Sequence, residues 1–344
     1  MAQIFKFNAL LSFLIIFISA NGVLSYGWVG HQITAAIAQR FLSPRAQRAI
    51  IELLPQEANG NLSEIAAWAD TIRFNPHYRF ASRLHFWNPI GDNPPETCSI
   101  DWVPGNRDVI TAIYNYSHRL DPKTRLEYTQ QAEALKFLVH FLGDLHQPLH
   151  LTSKLRGGNG AVARFDNRKT KLHTIWDSLL ICKQICKVIF DSKLPITKPK
   201  PPKCPRCEIN LEYVNNIVSL INTKWNEEKS RWTECHNRVK DNSYVRIDFF
   251  KYDRIVSFSP RRRPTNPKTP FPIPDVPDSI CPNYWAIELK KLNCEVIWKG
   301  YSPNTEIDYG HGEFYDSLMK SQLVEKMLAM AGIRMAAVLN SILT

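Results

Sequence analysis

Apolar residues recur every three or four positions over most of this chain, and alternation with period two is never sustained. Spacing of this kind indicates amphipathic helices rather than strands. The pattern predicts helices over about His31 to Phe41, Pro44 to Leu54, Leu62 to Arg73, Val109 to Leu120, Leu126 to His146, Leu172 to Cys186, Leu211 to Lys229, Tyr284 to Leu292 and Tyr315 to Leu343. We therefore expect an all-α, mainly helical single domain.

Two stretches rich in proline and basic residues, Lys193 to Cys207 and Ser259 to Asp278, interrupt the helical pattern. Their composition predicts extended surface segments rather than core. Together they bracket a long irregular insertion at about residues 190–280.

The first residues contain one lysine, an apolar run from about Phe7 to Ile18, and then small and polar residues. This order predicts a secretory signal peptide, since the apolar run is too short to span a membrane. Small residues allow cleavage after Ser25 or after Gly27. We expect residues 1–25, or 1–27, to be removed, and the remainder from residue 26 to 344 to form a secreted or lumenal, monomeric product without a membrane anchor.

The composition suits that compartment. N-glycosylation sequons begin at Asn61 and Asn115. The 8 cysteines suggest disulfides, although the pairs in CKQIC and CPRC leave a four-cysteine zinc site as an alternative. The formal net charge of +11 favours an anionic partner, although a solvated basic face is the commoner explanation of such a charge.

The stretch HFLGDLHQPLH carries polar side chains on a helix that is otherwise apolar. His140 and Asp144 stand four residues apart and share one helix face, and His150 follows just beyond the break at Pro148. The same spacing recurs in LHTIWD, which contains His173 and Asp177. An imidazole and a carboxylate so placed can share one cation such as zinc.

Further candidate ligands lie among bulky apolar neighbours. WAD supplies Asp70, LHFW supplies His85, and GWVGHQI supplies His31 just after the predicted signal peptide. Buried polar groups must be satisfied, and several divalent ions would satisfy all of these. Ligation by nitrogen and oxygen without cysteine is typical of catalytic rather than structural zinc.

The ordered series GH, WADxxR, LHF, HFxGDxxQPLH, GGN and LHxxWD resembles the zinc-dependent single-strand nucleases and 3'-nucleotidases, whose fold is that of the zinc phospholipase C enzymes. The resemblance implies three zinc ions per chain, single-stranded nucleic acid and 3'-nucleotides as substrates, and 5'-phosphorylated products. It assigns the first zinc to Asp70, His85, His140 and Asp144, the second to His150, His173 and Asp177, and the third to His31, Asp144 and the backbone of the mature first residue.

That first residue departs from the family pattern, which has tryptophan five positions before the histidine. Here Tyr26 occupies that position relative to His31, and the nearby tryptophan is Trp28. Tyr26 preserves the length of the chelate, whereas Trp28 would shorten the loop. Both starting points agree with the cleavage rule, so both remain open as metal ligands.

The resemblance also implies roles around the metals. Asp70, Asp144 and Arg73 serve catalysis, with Arg73 neutralising charge on the scissile phosphate. Phe86 is expected to stack on a base. Further substrate contacts are expected from Asn88, Arg156 and Asn159. His146 is expected behind the ligands, and Cys98 and Cys294 are expected to form a disulfide.

Two other functions remain compatible with these residues. A phospholipase C-like phosphodiesterase would use much of the same ligand set, although Asp177 stands where those enzymes have glutamate, and the GGN stretch favours nucleic acid. The chain could also be a non-catalytic zinc-binding secreted protein, although its ligand set is complete.

Overall fold

The computed structural model describes residues 27–104, 106–193, 207–235, 274–303 and 307–344. The predicted signal peptide, Tyr26 and most of the two proline-rich stretches lie outside the described residues. The α-helices are α1 (Trp28–Gln39), α2 (Pro44–Leu53), α3 (Trp68–Ile72), α4 (Val109–Leu120), α5 (Tyr128–Leu145), α6 (Leu172–Thr174), α7 (Leu180–Lys193), α8 (Leu211–Asn222), α9 (Lys229–Trp232), α10 (Pro282–Leu292), α11 (Glu313–Ser321) and α12 (Leu323–Ile342).

Shorter elements connect these helices. Two π-helical segments, Ile175–Leu179 and Asn293–Ile297, follow α6 and α10 directly. Strands β1 (Val162–Phe165) and β2 (Arg168–Lys171) form an antiparallel hairpin. The 3-10 helices are Gln56–Ala58, Leu62–Glu64, Pro76–Arg83, Pro122–Thr124 and Pro148–Leu151. The prediction of a mainly helical fold is confirmed.

Local sequence signals set the ends of the two central helices. The Asp108 side chain accepts a hydrogen bond from the Thr111 amide and caps α4. Glu127 and Gln130 form a capping box at the start of α5. That helix ends three residues before Pro148, as the break in the pattern predicts.

Helix α5 lies at the centre of the fold. From Ala134 to Leu145 every side chain except that of Lys136 is buried. Its neighbours are α1, α3, α4 and α12. A helix surrounded on all sides places its polar residues in the interior, and His140 and Asp144 are both wholly buried.

Helices α1 and α12 pack closely side by side. At the crossing, a Cβ atom on Gly332 would lie 2.4 Å from Cγ2 of Ile37, so any side chain there would force the helices apart. The close approach holds α1, with His31 near its beginning, against the buried centre of the fold.

Three of the predicted helices are interrupted. The stretch from Leu211 to Lys229 ends its helix at Asn222, and turns lead from there to α9. The stretch from Leu62 to Arg73 divides into a 3-10 helix and α3. The stretch from Tyr315 to Leu343 divides at Gln322, whose φ of 54° ends α11 and turns the chain into α12. A left-handed residue between two amphipathic segments leaves the apolar spacing nearly unchanged, so periodicity alone does not reveal it.

The hairpin was not predicted. Its strands have four residues each, which is too short for alternation to stand out. Asp166 and Asn167 form the two-residue turn with φ values of 49° and 66°. Aspartate and asparagine tolerate these angles, and turns of this type match the twist of a hairpin.

Within the expected insertion, the described residues 207–235 contain the helix that the apolar spacing predicts from Leu211. Helix α8 buries one face, formed by Tyr213, Val214, Ile217 and Ile221. That face packs against α1 and α12. This part of the chain therefore belongs to the core.

The described cysteines form disulfides. The bridges are Cys98–Cys294, Cys182–Cys207 and Cys235–Cys281, and Cys186 is also disulfide-bonded. The alternative of a four-cysteine zinc site is therefore wrong, because the sulfurs of Cys182, Cys186 and Cys207 are engaged in S–S bonds. No helix among the described residues is long and apolar enough to cross a membrane.

Candidate metal centre

Eight buried histidine and aspartate side chains converge behind one cavity. Helix α1 supplies His31, α3 supplies Asp70, and α5 supplies His140 and Asp144. The others come from shorter elements: His85 after the 3-10 helix Pro76–Arg83, His150 from the 3-10 helix Pro148–Leu151, His173 from α6 and Asp177 from the π-helical segment that follows. Side chains distant in sequence thus meet in one place.

Within the described ranges, three groups could hold a metal ion: His31 with His140 and Asp144; Asp70 with His85 and His140; and His150 with His173 and Asp177. Within each group the ligand atoms lie within 4.8 Å of one another. These are the same residues that the motifs singled out.

Asp144 lies between the groups. Its Oδ2 is 3.0 Å from Nδ1 of His85 and 3.2 Å from Nε2 of His140. Its Oδ1 is 3.4 Å from Nε2 of His31 and 3.3 Å from Nδ1 of His150. One carboxylate therefore faces four imidazoles, as a ligand bridging two cations would.

The approach of His31 depends on a glycine of α5. A Cβ atom on Gly143 would lie 2.6 Å from Nδ1 of His31. The ring of His31 stacks on that of His140, with centroids 3.8 Å apart. Any side chain at Gly143 would displace His31 from the group that it forms with His140 and Asp144.

Backbone carbonyls orient three of the rings. Nδ1 of His140 donates to the Ala66 carbonyl at 2.8 Å, Nδ1 of His150 to that of His85 at 2.9 Å, and Nδ1 of His173 to that of Gly157 at 2.6 Å. In the neutral ring this hydrogen bond places the lone pair on Nε2. The Nε2 atoms of all three face carboxylates of the cluster, which is the arrangement that metal-binding histidines require.

Gln147 orients the second carboxylate. Its side-chain NH2 group donates to Oδ1 of Asp177 at 2.7 Å, while its Oε1 accepts the Leu149 amide at 2.6 Å. Gln147 is itself buried, so both ends of its amide are fixed. The residue was not singled out in the sequence, although it lies inside the QPLH motif.

Several buried polar atoms in these groups form no hydrogen bond in the described part of the chain. Both oxygens of Asp70, Nε2 of His85 and Nε2 of His173 have no hydrogen bond among the described residues. Tetrahedral zinc with bonds of 2.0–2.1 Å separates its ligand atoms by about 3.3 Å. The distances of 3.0–3.4 Å around Asp144 match that separation. The donor set of nitrogen and oxygen atoms therefore fits zinc.

Burial and close contacts shift the pKa values of several of these side chains. Burial raises the pKa of the Asp70 carboxyl to about 6. Burial opposes the charged form of His150 too, but hydrogen bonds with Asp144 and Asp177 prevail and raise its pKa to about 10. Burial lowers the pKa of His85 to about 3. Divalent cations would stabilise the carboxylates and neutral imidazoles together.

A cavity of about 610 Å³ opens in front of the cluster. Arg73, Phe86, Asn88, Arg156 and Asn159, which the sequence nominated as substrate contacts, all line it. His85, His150 and His173 also reach its surface. The wall of the cavity also includes residues that were not predicted from the sequence: Leu149, Thr152, Ser153, Gly157 and Lys171.

Arg73 connects the cavity to the metal groups. Its Nη2 lies 3.4 Å from Oδ1 of Asp70, one helical turn earlier. Its side chain retains 12% exposure and lines the cavity, so it faces Asp70 and the cavity together. A cation placed there is suited to a phosphate that approaches the centre.

Other nominated residues lie elsewhere. Trp28 begins α1 with its side chain half exposed. His146 belongs to none of the three groups. Its Nδ1 donates to the Leu142 carbonyl at 2.7 Å, and its Nε2 accepts from Arg334 of α12 at 3.1 Å. This imidazole therefore joins α5 to α12.

The two sequons differ in their surroundings. Asn61 begins the 3-10 helix Leu62–Glu64, and its Oδ1 accepts the Ser63 amide. Asn115 lies in the middle of α4, and Ser117, the third residue of its sequon, is buried. Both asparagines are partly exposed, and Ser63, the third residue of the first sequon, is buried as well.

Comparison with known proteins agrees with this geometry. The S1/P1 nuclease family model matches residues 26–344. The chain is similar to Endonuclease 2 of Arabidopsis thaliana, with 29% identity over 94% of this chain and 92% of the relative. It is 26% identical to Endonuclease 3 of the same plant over 97% of this chain and 94% of the relative.

A fungal relative matches over a shorter range. Nuclease S1 of Aspergillus oryzae is 37% identical over 166 residues, which is 45% of this chain and 55% of the relative. Because the family model covers nearly the whole sequence, the chain belongs to the S1/P1 nuclease family.

Proposed function

We propose that the chain is a secreted zinc-dependent endonuclease that cleaves single-stranded DNA and RNA to 5'-phosphorylated products and also removes the phosphate from 3'-nucleotides. The observation that carries the proposal is the convergence of three metal-binding groups on Asp144 at the back of a basic cavity. Membership of a nuclease family supports the same reaction.

Three zinc ions would be held by these side chains. Asp70, His85 and His140, with Asp144, would hold the first; His150, His173 and Asp177 the second; His31 and Asp144, with the mature N-terminus, the third. Bound zinc supplies Lewis-acid polarisation of the phosphoryl group and activates water near neutral pH.

The chain's own residues prepare the substrate for that chemistry. Arg73 neutralises the phosphate and stabilises the charge that develops on its oxygens. Gln147 and the backbone carbonyls hold the ligands in place, so they need not reorganise during the reaction. Asn88, Arg156 and Asn159 line the cavity and bind the nucleotides on either side.

Phe86 provides the platform for a base. Its side chain is 38% exposed and lines the cavity next to His85. A base must leave its stacked and paired neighbours to reach an aromatic ring at this depth. The recess therefore favours single strands, and stacking accepts any base.

We expect Phe86→Ala to lower kcat/KM on single-stranded oligonucleotides. The loss of transition-state stabilisation should be about 1–3 kcal/mol, the contribution of one stacked base. Zinc content should not change, because Phe86 belongs to none of the metal groups. Tyr128, equally aromatic and 57% exposed outside the cavity, offers the matched control Tyr128→Ala. Loss of zinc from Phe86→Ala would show instead that the ring supports the fold.

The mature N-terminus completes the third zinc site in this proposal. Gly27 lies against the π-helical segment, where an added Cβ would meet Oγ of Ser178 at 2.0 Å and the Asp177 carbonyl at 3.1 Å. The chain just before His31 thus runs along the wall of the metal centre. The family match begins at residue 26, which supports Tyr26 as first residue over Trp28.

Adding a Gly-Ser pair ahead of the mature first residue is expected to lower zinc content and activity while the domain stays folded. A free amine coordinates zinc, whereas the amide nitrogen that replaces it is a poor ligand. Mass analysis of the secreted protein identifies the true first residue, and metal analysis of the extended protein follows. Full activity with undiminished zinc would exclude the N-terminus as a ligand.

We also propose that the protein is secreted and is a monomer. Disulfides such as Cys98–Cys294 persist in oxidising compartments. Asn61 and Asn115 are the proposed glycosylation sites. The domain would run from residue 26 to 344 and include the insertion of about residues 190–280.

Purified mature protein tested on single-stranded DNA, RNA, 3'-AMP and phosphatidylcholine decides the function. We expect hydrolysis of the first three and loss of activity with a zinc chelator. Hydrolysis of phosphatidylcholine alone would favour the phospholipase, and zinc binding without any hydrolysis would leave a non-catalytic protein.

A further inference from the structure

The hairpin beside the cavity carries cations on one face. In its register Val162 pairs with Lys171, and Arg164 pairs with Lys169. Paired residues, and residues two apart on one strand, project from the same side. Val162 is 62% exposed and Lys169 and Lys171 are exposed, so this side faces solvent. The opposite face buries Ala163 and Phe165.

The described residues offer these cations no partner. Among the described residues, no hydrogen bond or ion pair involves the side chains of Arg164, Lys169 or Lys171. Cations nearby are engaged, since Lys183 pairs with Asp166 and Lys154 pairs with Glu96. The cations on the outer face of the hairpin therefore differ from their neighbours in lacking an acidic partner among the described residues.

Arg164 and Lys169 are also direct cross-strand neighbours. Like charges directly opposite each other destabilise a sheet. A bound anion between them would remove that repulsion. The pair is therefore better suited to a phosphate than to a bare protein surface.

The third cation joins this face to the cavity. Lys171 is the last residue of β2 and lines the cavity, two residues before His173. Lys169 lies about 7 Å farther along the strand, away from the metal centre. The row therefore leads outward from the place where the phosphodiester would be cleaved.

The hairpin is held firmly in this position. The Asp308 carboxylate accepts the backbone amides of Asp166 at 2.8 Å and Asn167 at 2.6 Å. The Tyr309 amide donates to the Arg164 carbonyl at 2.9 Å. The backbone that carries the cations is therefore already ordered, so only their side chains lose entropy when they bind a ligand.

We propose that Arg164, Lys169 and Lys171 form a binding track for the phosphate backbone of a single strand that extends beyond the cavity. The track makes the protein favour long strands over 3'-mononucleotides. This inference rests on the proposed function, because it presumes that the scissile phosphate lies at the metal centre. Tracking a backbone with unpaired cations requires no base sequence.

The test compares two double variants of the mature holoprotein, Arg164→Ala/Lys169→Ala and the control Arg45→Ala/Arg48→Ala. The control removes the same charge from exposed positions on α2 that do not line the cavity. Substrates are 3'-AMP and single-stranded oligonucleotides from dinucleotide to decanucleotide. The quantity measured is the ratio of kcat/KM on the oligonucleotide to kcat/KM on 3'-AMP.

In the hairpin variant we expect this ratio to fall about tenfold for the longest strand at low salt and to change little for the dinucleotide. The dependence of log kcat/KM on log salt should become shallower by about 1.4, since each phosphate contact to a single strand contributes about 0.7. The control variant should keep the wild-type ratio. A general structural defect would lower both activities and leave the ratio unchanged.

An unchanged ratio, or an equal fall in both double variants, would overturn the binding track. Aggregation of the hairpin variant with an unchanged ratio would also overturn the binding track. It would show that the cations prevent an edge strand from pairing with another chain. If the wild-type protein hydrolyses neither substrate, the proposed function fails separately. Anisotropy of a labelled oligonucleotide then measures the same salt slopes by binding and decides the track.

Discussion

Replacing Asp144 with alanine is expected to remove two zinc ions together and to lower kcat/KM by about three orders of magnitude or more. The carboxylate lies 3.0–3.4 Å from four histidine nitrogens, so no other residue of the centre can take its place. Metal centres contribute several kcal/mol to such reactions, and each 1.4 kcal/mol corresponds to about tenfold in rate.

Asp177→Ala is the matched comparison, because Asp177 approaches the histidines of one metal group alone, His150 and His173. It should lose one zinc ion and keep the others. Metal analysis and steady-state kinetics on each purified variant make the measurement, and circular dichroism checks folding. Equal zinc losses in the two variants would show that Asp144 does not bridge.

Replacing Asp92 with asparagine is expected to destabilise the fold by about 3–5 kcal/mol, because it leaves a buried lysine without its counter-charge. Asp92 and Lys290 are both fully buried and ion-paired. Burial lowers the pKa of Lys290, while the pair with Asp92 opposes that shift. Asp92 also accepts hydrogen bonds from Thr152, which lines the cavity, and from the Ser99 amide.

Urea unfolding of the purified variants measures the effect. Glu96→Gln is the control, since Glu96 pairs with Lys154 at 3.7 Å but is 64% exposed, and its loss should leave stability nearly unchanged. Removing both charges in Asp92→Leu/Lys290→Met should cost much less than Asp92→Asn. Equal stabilities of Asp92→Asn and wild type would show that the pair does not hold the fold.

The sequence contained most of the metal centre. Buried His–Asp pairs at helical spacing, such as His140 with Asp144, are unusual enough to indicate candidate ligands before any fold is known. The sequence does not show how far apart two such pairs lie in the folded protein. The contacts of Asp144 with His31 and His85 depend on how α1 and the loop after residue 83 pack on α5.

The remaining errors have physical causes. Periodicity identifies long amphipathic helices such as α5 but cannot register a single left-handed residue such as Gln322. The hairpin depends on a two-residue turn and on Asp308, which lies more than a hundred residues away. The apolar spacing from Leu211 predicts α8, but only the tertiary structure shows that its buried face packs against α1 and α12.

Gln147 and Lys171 were missed for a related reason. A single glutamine or lysine carries no chemical signal until its neighbour is known. The hydrogen bond from Gln147 to Asp177 and the exposure of Lys171 to the cavity are properties of the tertiary structure.

Anomalous diffraction at the zinc edge from crystals of the mature protein tests the metal centre most directly. We predict three peaks: one among Asp70, His85 and His140, one beside His31, and one among His150, His173 and Asp177. Asp144 should lie between the first two. A single peak, or no peak in contact with Asp144, would contradict the proposed centre.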